Sequence, residues 1–376
     1  MNIKSNLNRT FSPSNNIRNI VRELEPYKPI LPFEILSQQL GRSISEIIKL
    51  DANENLYGPS PLVSDVLSKL DFPHIYPDPE NQTLRQFLSQ YTEVPYENLF
   101  AGAGADEIID LVIRLFIDPG DSIVDCQPTF GMYSFDGAVN GAQVLIVERT
   151  LDFGLDTEKL IEVISKNNPK ILFIASPNNP DGNMITKEQL RVLLNLPIVV
   201  ILDEAYVEFA GLENSYIKWV PENSNLIVLR TFSKWAGLAG LRVGYGAFPT
   251  EIIEELWKIK QPYNVSVAAT AAAVASLKDS KNLLDIVSLI VAERERMYTL
   301  FADMNFLRPY PSWGNFILCE VQSMSASDLL AKLRSEGILV RYFDTDRLSN
   351  HIRISVGMPR HTDLLTDILN DINGSI

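Results

Sequence analysis

Three apolar runs follow one another through the middle of the chain, at 170–176, 197–202 and 226–229. They are rich in β-branched residues, show no polar alternation, and are separated by helical stretches such as 187–194. Runs of that length without alternation read as strands buried on both faces. Alternation of such strands with helices implies a parallel sheet covered on both sides, an α/β architecture. The C-terminal part changes character. Short strands at 315–320, 338–341 and 351–356 alternate with helices, as in a second, α+β domain. At 376 residues the chain is long for one core, so two domains are expected.

In an open parallel sheet, ligands bind outside the carboxyl ends of the strands. Polar residues fall there repeatedly: Asn179 after the first run, Asp203 and Tyr206 after the second, Thr231, Ser233 and Lys234 after the third. A solvated strand-end lysine is the ordinary reading of Lys234 taken alone. Three successive strand ends carrying reactive groups favour another. Desolvation lowers an amine's pKa, and a neutral amine attacks aldehydes. The hydroxyls beside it, with Arg242, suit a phosphate. An aldehyde with a phosphate handle is pyridoxal phosphate. That cofactor needs an amine for its aldehyde, a carboxylate at its ring nitrogen, a phosphate cradle and a stacking surface. Lys234 can supply the amine and Asp203 the carboxylate, while Asn179 and Tyr206 can bond the ring oxygen. Gly104, Ala105 and Asp106 open an amphipathic helix whose free N–H groups, with Ser233 and Arg242, can cradle the phosphate. Phe130 can stack on the ring.

Composition removes other classes. A formal net charge of −14 argues against a nucleic-acid or acidic-membrane surface. Two cysteines and three scattered histidines give no disulfide framework and no metal site. The polar start lacks an apolar signal core, and no run reaches membrane-spanning length, so a cytoplasmic protein is expected. Residues 1–16 read as a loose tail, a helix is expected from Ile17 to Pro26, and Glu293 to Arg296 read as a solvated helix face.

Nine stretches together resemble fold-type I pyridoxal-phosphate enzymes, and within them the histidinol-phosphate aminotransferases. They are 21–27, Asp51-Ala-Asn-Glu-Asn55 with Tyr57-Gly-Pro59, 104–107, 128–133, 176–182, 203–209, Thr231-Phe-Ser-Lys234, 237–245 and 352–357. The resemblance covers nearly the whole chain. It implies a large domain with a mostly parallel seven-stranded sheet between helices, and a smaller α+β domain built from the N-terminal arm and the C-terminal segment. The expected boundaries are 1–50 for the arm, 51–275 for the cofactor domain and 276–376 for the small domain. It also implies a homodimer, with Tyr57 reaching the partner's cofactor phosphate. Tyr27 and Arg341 would meet the substrate phosphate, and Arg353 that phosphate or the α-carboxylate of glutamate. Tyr263 and Asn315 would line the substrate pocket. The implied reaction converts histidinol phosphate and 2-oxoglutarate to imidazole acetol phosphate and glutamate, in histidine biosynthesis. Lys234 would be both the Schiff-base lysine and the proton carrier.

The chain departs from the family pattern at four places. Asp181 replaces a turn threonine, where little effect is expected. Trp235 follows the lysine where a small residue is common and would reshape the pocket. Phe130 replaces a frequent tyrosine, and Leu56 a proline. An aromatic or broad-specificity aminotransferase would show nearly the same motifs. A threonine-phosphate decarboxylase and a non-catalytic regulator are the more distant alternatives.

Overall fold

The computed structural model describes residues 12–26 and 31–374. Its centre is a seven-stranded sheet built from β2 (Leu99–Gly102), β3 (Ser122–Gln127), β4 (Gln143–Glu148), β5 (Ile171–Ala175), β6 (Val199–Asp203), β7 (Leu226–Thr231) and β8 (Gly244–Ala247). The order is β2-β8-β7-β6-β5-β3-β4. All neighbours run parallel except β8, which is antiparallel to both β2 and β7. The three apolar runs are β5, β6 and β7, side by side in the middle, so their carboxyl ends share one edge. Every residue of β5 and β7 is buried. Each fully buried Val, Leu or Ile contributes about 1.5–3 kcal/mol, which commits these segments to the interior.

Glycine decides β8. Its sequence, Gly-Tyr-Gly-Ala, lacks the β-branched residues that mark a strand, and sequence pattern alone does not reveal it. A Cβ at Gly244 would stand 2.6 Å from the backbone nitrogen of Ala105 and 2.7 Å from the carbonyl carbon of Gly104. The missing side chains therefore let the strand press against the turn that opens the helix Ala105–Phe116.

A second sheet combines β1 (Ile48–Leu50) with β9 (Leu307–Pro309), β10 (Phe316–Val321), β11 (Ile338–Tyr342) and β12 (His351–Ser355), in the order β1-β11-β12-β10-β9. β1 runs parallel to β11, and the remaining pairs are antiparallel. The N-terminal arm thus joins the C-terminal segment in the smaller layer, as the α/β-plus-α+β expectation requires.

Two local readings change. The first helix is short, Asn19–Glu23, and ends well before Pro26. The charged run on the long helix Ser280–Ala302 is solvated only in part: Glu295 is exposed. Glu293 and Arg294 are buried there. Arg294 donates to the Gly314 carbonyl at 3.0 Å, and Glu293 accepts from Arg296 at 2.9 Å. The helix packs on the smaller layer along that side, and the buried charges are held by bonds.

Candidate active site

A cavity of about 640 Å³ opens at the carboxyl ends of β5, β6 and β7. Asn179, Asp203, Tyr206, Thr231, Ser233 and Lys234 line it from the sheet. Ala105 and Asp106 line it from the start of the following helix, and Arg242 from the turn before β8. Arg341 and Arg353 close it from the smaller layer. Residues nearly 250 positions apart in sequence are therefore brought to one space by strand order.

Asp203 is the last residue of β6 and only 6% exposed. Tyr133 donates to its Oδ2 at 2.6 Å, and the Ala205 amide donates to Oδ1 at 3.0 Å. Burial pushes its pKa from 3.8 up to about 6, while the two donors pull the other way. A carboxylate so poorly hydrated, facing a cavity, is suited to a positive ring nitrogen. The next residue, Glu204, faces the opposite side of the sheet, where it pairs with buried Arg230 at 3.0 Å.

Lys234 follows β7 by three residues. Its Nζ donates to the Ala52 carbonyl at 3.1 Å and lies 5.7 Å from the Tyr206 ring centroid. Thr231 and Ser233 share a hydroxyl–hydroxyl bond of 2.9 Å beside it.

Gly104 caps the helix Ala105–Phe116 with φ +84°, which glycine adopts without strain. A Cβ there would meet Arg242 Nη2 at 2.6 Å. The glycine therefore leaves room for the guanidinium across the helix start. Arg242 is paired with Asp106 at 2.8 Å, and both side chains are about half exposed. Such a pair is worth at most about 1 kcal/mol, so the guanidinium is readily reassigned to an anion.

The smaller layer supplies the remaining cations. Arg341 and Arg353 stand directly opposite each other on β11 and β12, with Phe343 near both guanidinium groups. Arg353 donates to Asn179 Oδ1, and to the Asp51 carbonyl at 2.6 Å. Two arginines side by side at a cavity wall form a site for a phosphate or carboxylate.

Other expected site residues lie elsewhere. Tyr57 and Gly104 do not line the cavity, though Gly104 lies directly behind Arg242. Tyr263 is 47% exposed and stacks on Tyr76 at 4.5 Å. Asn315 is buried and donates to the Asn53 carbonyl at 3.0 Å. Phe130 is on the wall, edge-on to Tyr133. Tyr27 lies outside the described residues.

Two departures read differently in three dimensions. Asp181 is fully buried, accepting from the Asn183 amide at 2.8 Å and from the Asn178 side chain, so it is no indifferent turn residue. Trp235 does not reach the cavity. It is fully buried and stacked on Tyr91 at 5.4 Å.

Sequence reasoning assigned no role to Tyr133, Asn53 or Arg347. Arg347 donates to Glu148 at 2.9 Å and to the Arg149 and Thr150 carbonyls, tying the smaller layer to the end of β4. Asn53 and Tyr133 fall within the stretches 51–55 and 128–133, but only the packing shows what they touch. Among the described residues no cluster of His, Cys, Asp or Glu could hold a metal, and no helix is long and apolar enough to cross a membrane.

Residues 45–365 match the family model described as aminotransferase class I and II. A histidinol-phosphate aminotransferase, chloroplastic, of Nicotiana plumbaginifolia is 55% identical over 94% of this chain and 86% of its own length. A histidinol-phosphate aminotransferase of Roseiflexus castenholzii is 49% identical over 95% of this chain and 98% of its own. The crystal structure of histidinol-phosphate aminotransferase from Sinorhizobium meliloti in complex with pyridoxal-5'-phosphate superposes with a TM-score of 0.87 at 29% identity, covering 96% of this chain and 98% of that one.

The Asp203 shift has a measurable consequence. Between about pH 4 and pH 6 the folded chain holds the Asp203 proton that the unfolded chain has released. Stability of the cofactor-free protein therefore falls as pH rises through that window. Asp203→Asn removes this part of the fall, read as urea midpoints against pH; an unchanged slope in the variant assigns the fall to other groups.

Proposed function

The chain belongs to the aminotransferase class I and II family, and from that premise we propose that it transfers the amino group of histidinol phosphate to 2-oxoglutarate, in histidine biosynthesis, using pyridoxal 5'-phosphate. The observation that carries the reading is the pairing of Lys234 and Asp203 on one cavity whose far wall holds Arg341 and Arg353. The cofactor fits the donor set: a desolvated carboxylate with room before it, an amine, and an arginine laid over a helix start that only a glycine leaves open. Bound there, pyridoxal phosphate supplies an aldehyde for amine exchange and a ring that accepts electrons.

The chain's own residues do the rest. With pyridoxal phosphate bound, Lys234 Nζ would hold its aldehyde carbon and would be the amine that moves a proton at the substrate α-carbon. Asp203 keeps the ring nitrogen protonated. Asn179 and Tyr206 bond the ring oxygen. The amides of Ala105 and Asp106, the hydroxyls of Thr231 and Ser233, and Arg242 hold the phosphate. Phe130 stacks on the ring. Arg341 and Arg353 bind the substrate phosphate or the carboxylates of the 2-oxo acid, with Tyr27 as a further residue on the substrate side, while Tyr263 and Asn315 stand off the cavity. The larger layer and the smaller layer act as domains divided near residues 50 and 275.

We further read the chain as a homodimer in which Tyr57 serves the partner's cofactor phosphate. Its position off this chain's cavity supports that reading. Both cysteines are buried and free, which suits a reducing compartment such as the cytoplasm.

The substrate assignment is tested by following the cofactor's absorbance in single half-reactions. Histidinol phosphate should convert the cofactor faster than phenylalanine, and Arg341→Gln should raise KM for histidinol phosphate about tenfold, a loss of about 1.4 kcal/mol of charge-assisted bonding. Equal handling of both donors, with no effect at Arg341, would favour a broad-specificity aminotransferase instead. Light scattering should return twice the 42.2 kDa chain mass, and a single-chain mass rejects the homodimer.

A further inference from the structure

Asn53 occupies an unusual place. It is 1% exposed, lines the cavity, and has φ +55°, a left-handed conformation that asparagine tolerates better than most residues. Its side-chain Nδ2 lies 3.0 Å from the Tyr206 hydroxyl. Its Oδ1 lies 2.8 Å from Ser355 Oγ. Its backbone N–H donates to that same Ser355 Oγ at 2.8 Å, and its carbonyl accepts from Asn315.

These bonds fix a direction. Ser355 is buried, and besides accepting the Asn53 N–H its Oγ donates its single proton to Asn53 Oδ1 at 2.8 Å. Flipping the Asn53 amide would leave that buried proton without its acceptor, so the NH2 group faces Tyr206. An NH2 group only donates, so the Tyr206 oxygen accepts at that contact. The phenolic proton is left to point elsewhere, and Tyr206 is one of the residues that line the cavity.

We infer that Asn53 is a positioning residue: its amide, locked by Ser355, fixes the Tyr206 hydroxyl as a donor into the cavity, toward the ring oxygen of the cofactor. The inference rests on the cofactor reading above. Ser355 ends β12, the strand that carries Arg353, so the smaller layer sets the polarity of a group on the larger one. The ring oxygen and the lysine linkage share a proton balance. A donor at the oxygen stabilises its negative form and keeps the linkage unprotonated to higher acidity. The charged groups on the cavity wall are Glu54, Asp106, Glu148, Asp203, Lys234, Arg242, Arg341, Asp346, Arg347 and Arg353, and none is altered in the test.

The test is a spectroscopic pH titration of the lysine-linked cofactor in the full-length protein, independent of turnover. Asn53→Asp replaces the donor with an acceptor and turns the phenolic proton away. The linkage pKa should rise by about one unit, a tenfold change in proton affinity. Asn53→Gly keeps the backbone bonds and the left-handed φ without adding charge, and should raise it in the same direction by less. Ser355→Ala frees the amide to flip and should also raise it. In a Tyr206→Phe background Asn53→Gly should have no further effect, because its action runs through that hydroxyl. An unchanged pKa in Asn53→Gly and Ser355→Ala, or a full shift from Asn53→Gly persisting without the Tyr206 hydroxyl, overturns the inference. A wild-type protein with no titrating absorbance would instead overturn the cofactor reading itself.

Discussion

Asp203 sits at the end of a buried strand with little water and two fixed donors, facing open space. Burial of a carboxylate costs free energy unless something positive meets it. The rest of the site is arranged around that unmet demand. The parallel sheet puts Lys234 on the neighbouring strand end, Asn179 on the other side, and the helix start at Gly104 across the gap. A planar cation between Asp203 and Lys234, with an anionic tail at Arg242, would answer each of these groups. The cost of holding Asp203 dry is met elsewhere in the chain, by the continuous apolar packing of β5, β6 and β7.

The smaller layer contributes more than a lid. Arg353 bonds Asn179, Ser355 orients Asn53, Asn315 holds the Asn53 carbonyl, and Arg347 grips the end of β4. The Trp313 amide also donates to the Gly182 carbonyl at 3.0 Å, where a Cβ on Gly182 would strike Ser312. Groups on the cavity wall are thus held by residues from the opposite end of the chain. Shifts between the layers would be felt at Asn179 and Tyr206 directly.

The central strands and their polar ends were legible because buried parallel strands carry uninterrupted apolar sequence, and the first polar residue marks where the sheet meets solvent. The helix at Gly104 was legible for a similar reason, since glycine followed by an amphipathic period announces a helix start. β8 was not, because close approach to the Gly104 turn demanded glycine and erased the strand signal. The sequence around Asp181 reads as a turn, but turn chemistry says nothing about the cover that later segments provide. Adjacency to Lys234 puts Trp235 in the pocket on sequence grounds. Neighbours in sequence after a strand end need not share a side, and packing on Tyr91 took it away. Glu293 and Arg294 looked solvated because charge on a helix usually is. Their burial depends on the smaller layer closing over that face. Tyr133 meets Asp203, and Asn53 meets Tyr206, Ser355 and Asn315, through hydrogen bonds formed across the tertiary structure, and no local pattern encodes those.

Whether Lys234 is the residue that holds the cofactor decides the whole account. Reduction of the cofactor-loaded protein with borohydride fixes the linkage permanently, and peptide mass mapping then locates it. The account predicts the phosphopyridoxyl mass on the peptide containing Lys234 alone; its appearance on another lysine, or on none, would contradict it.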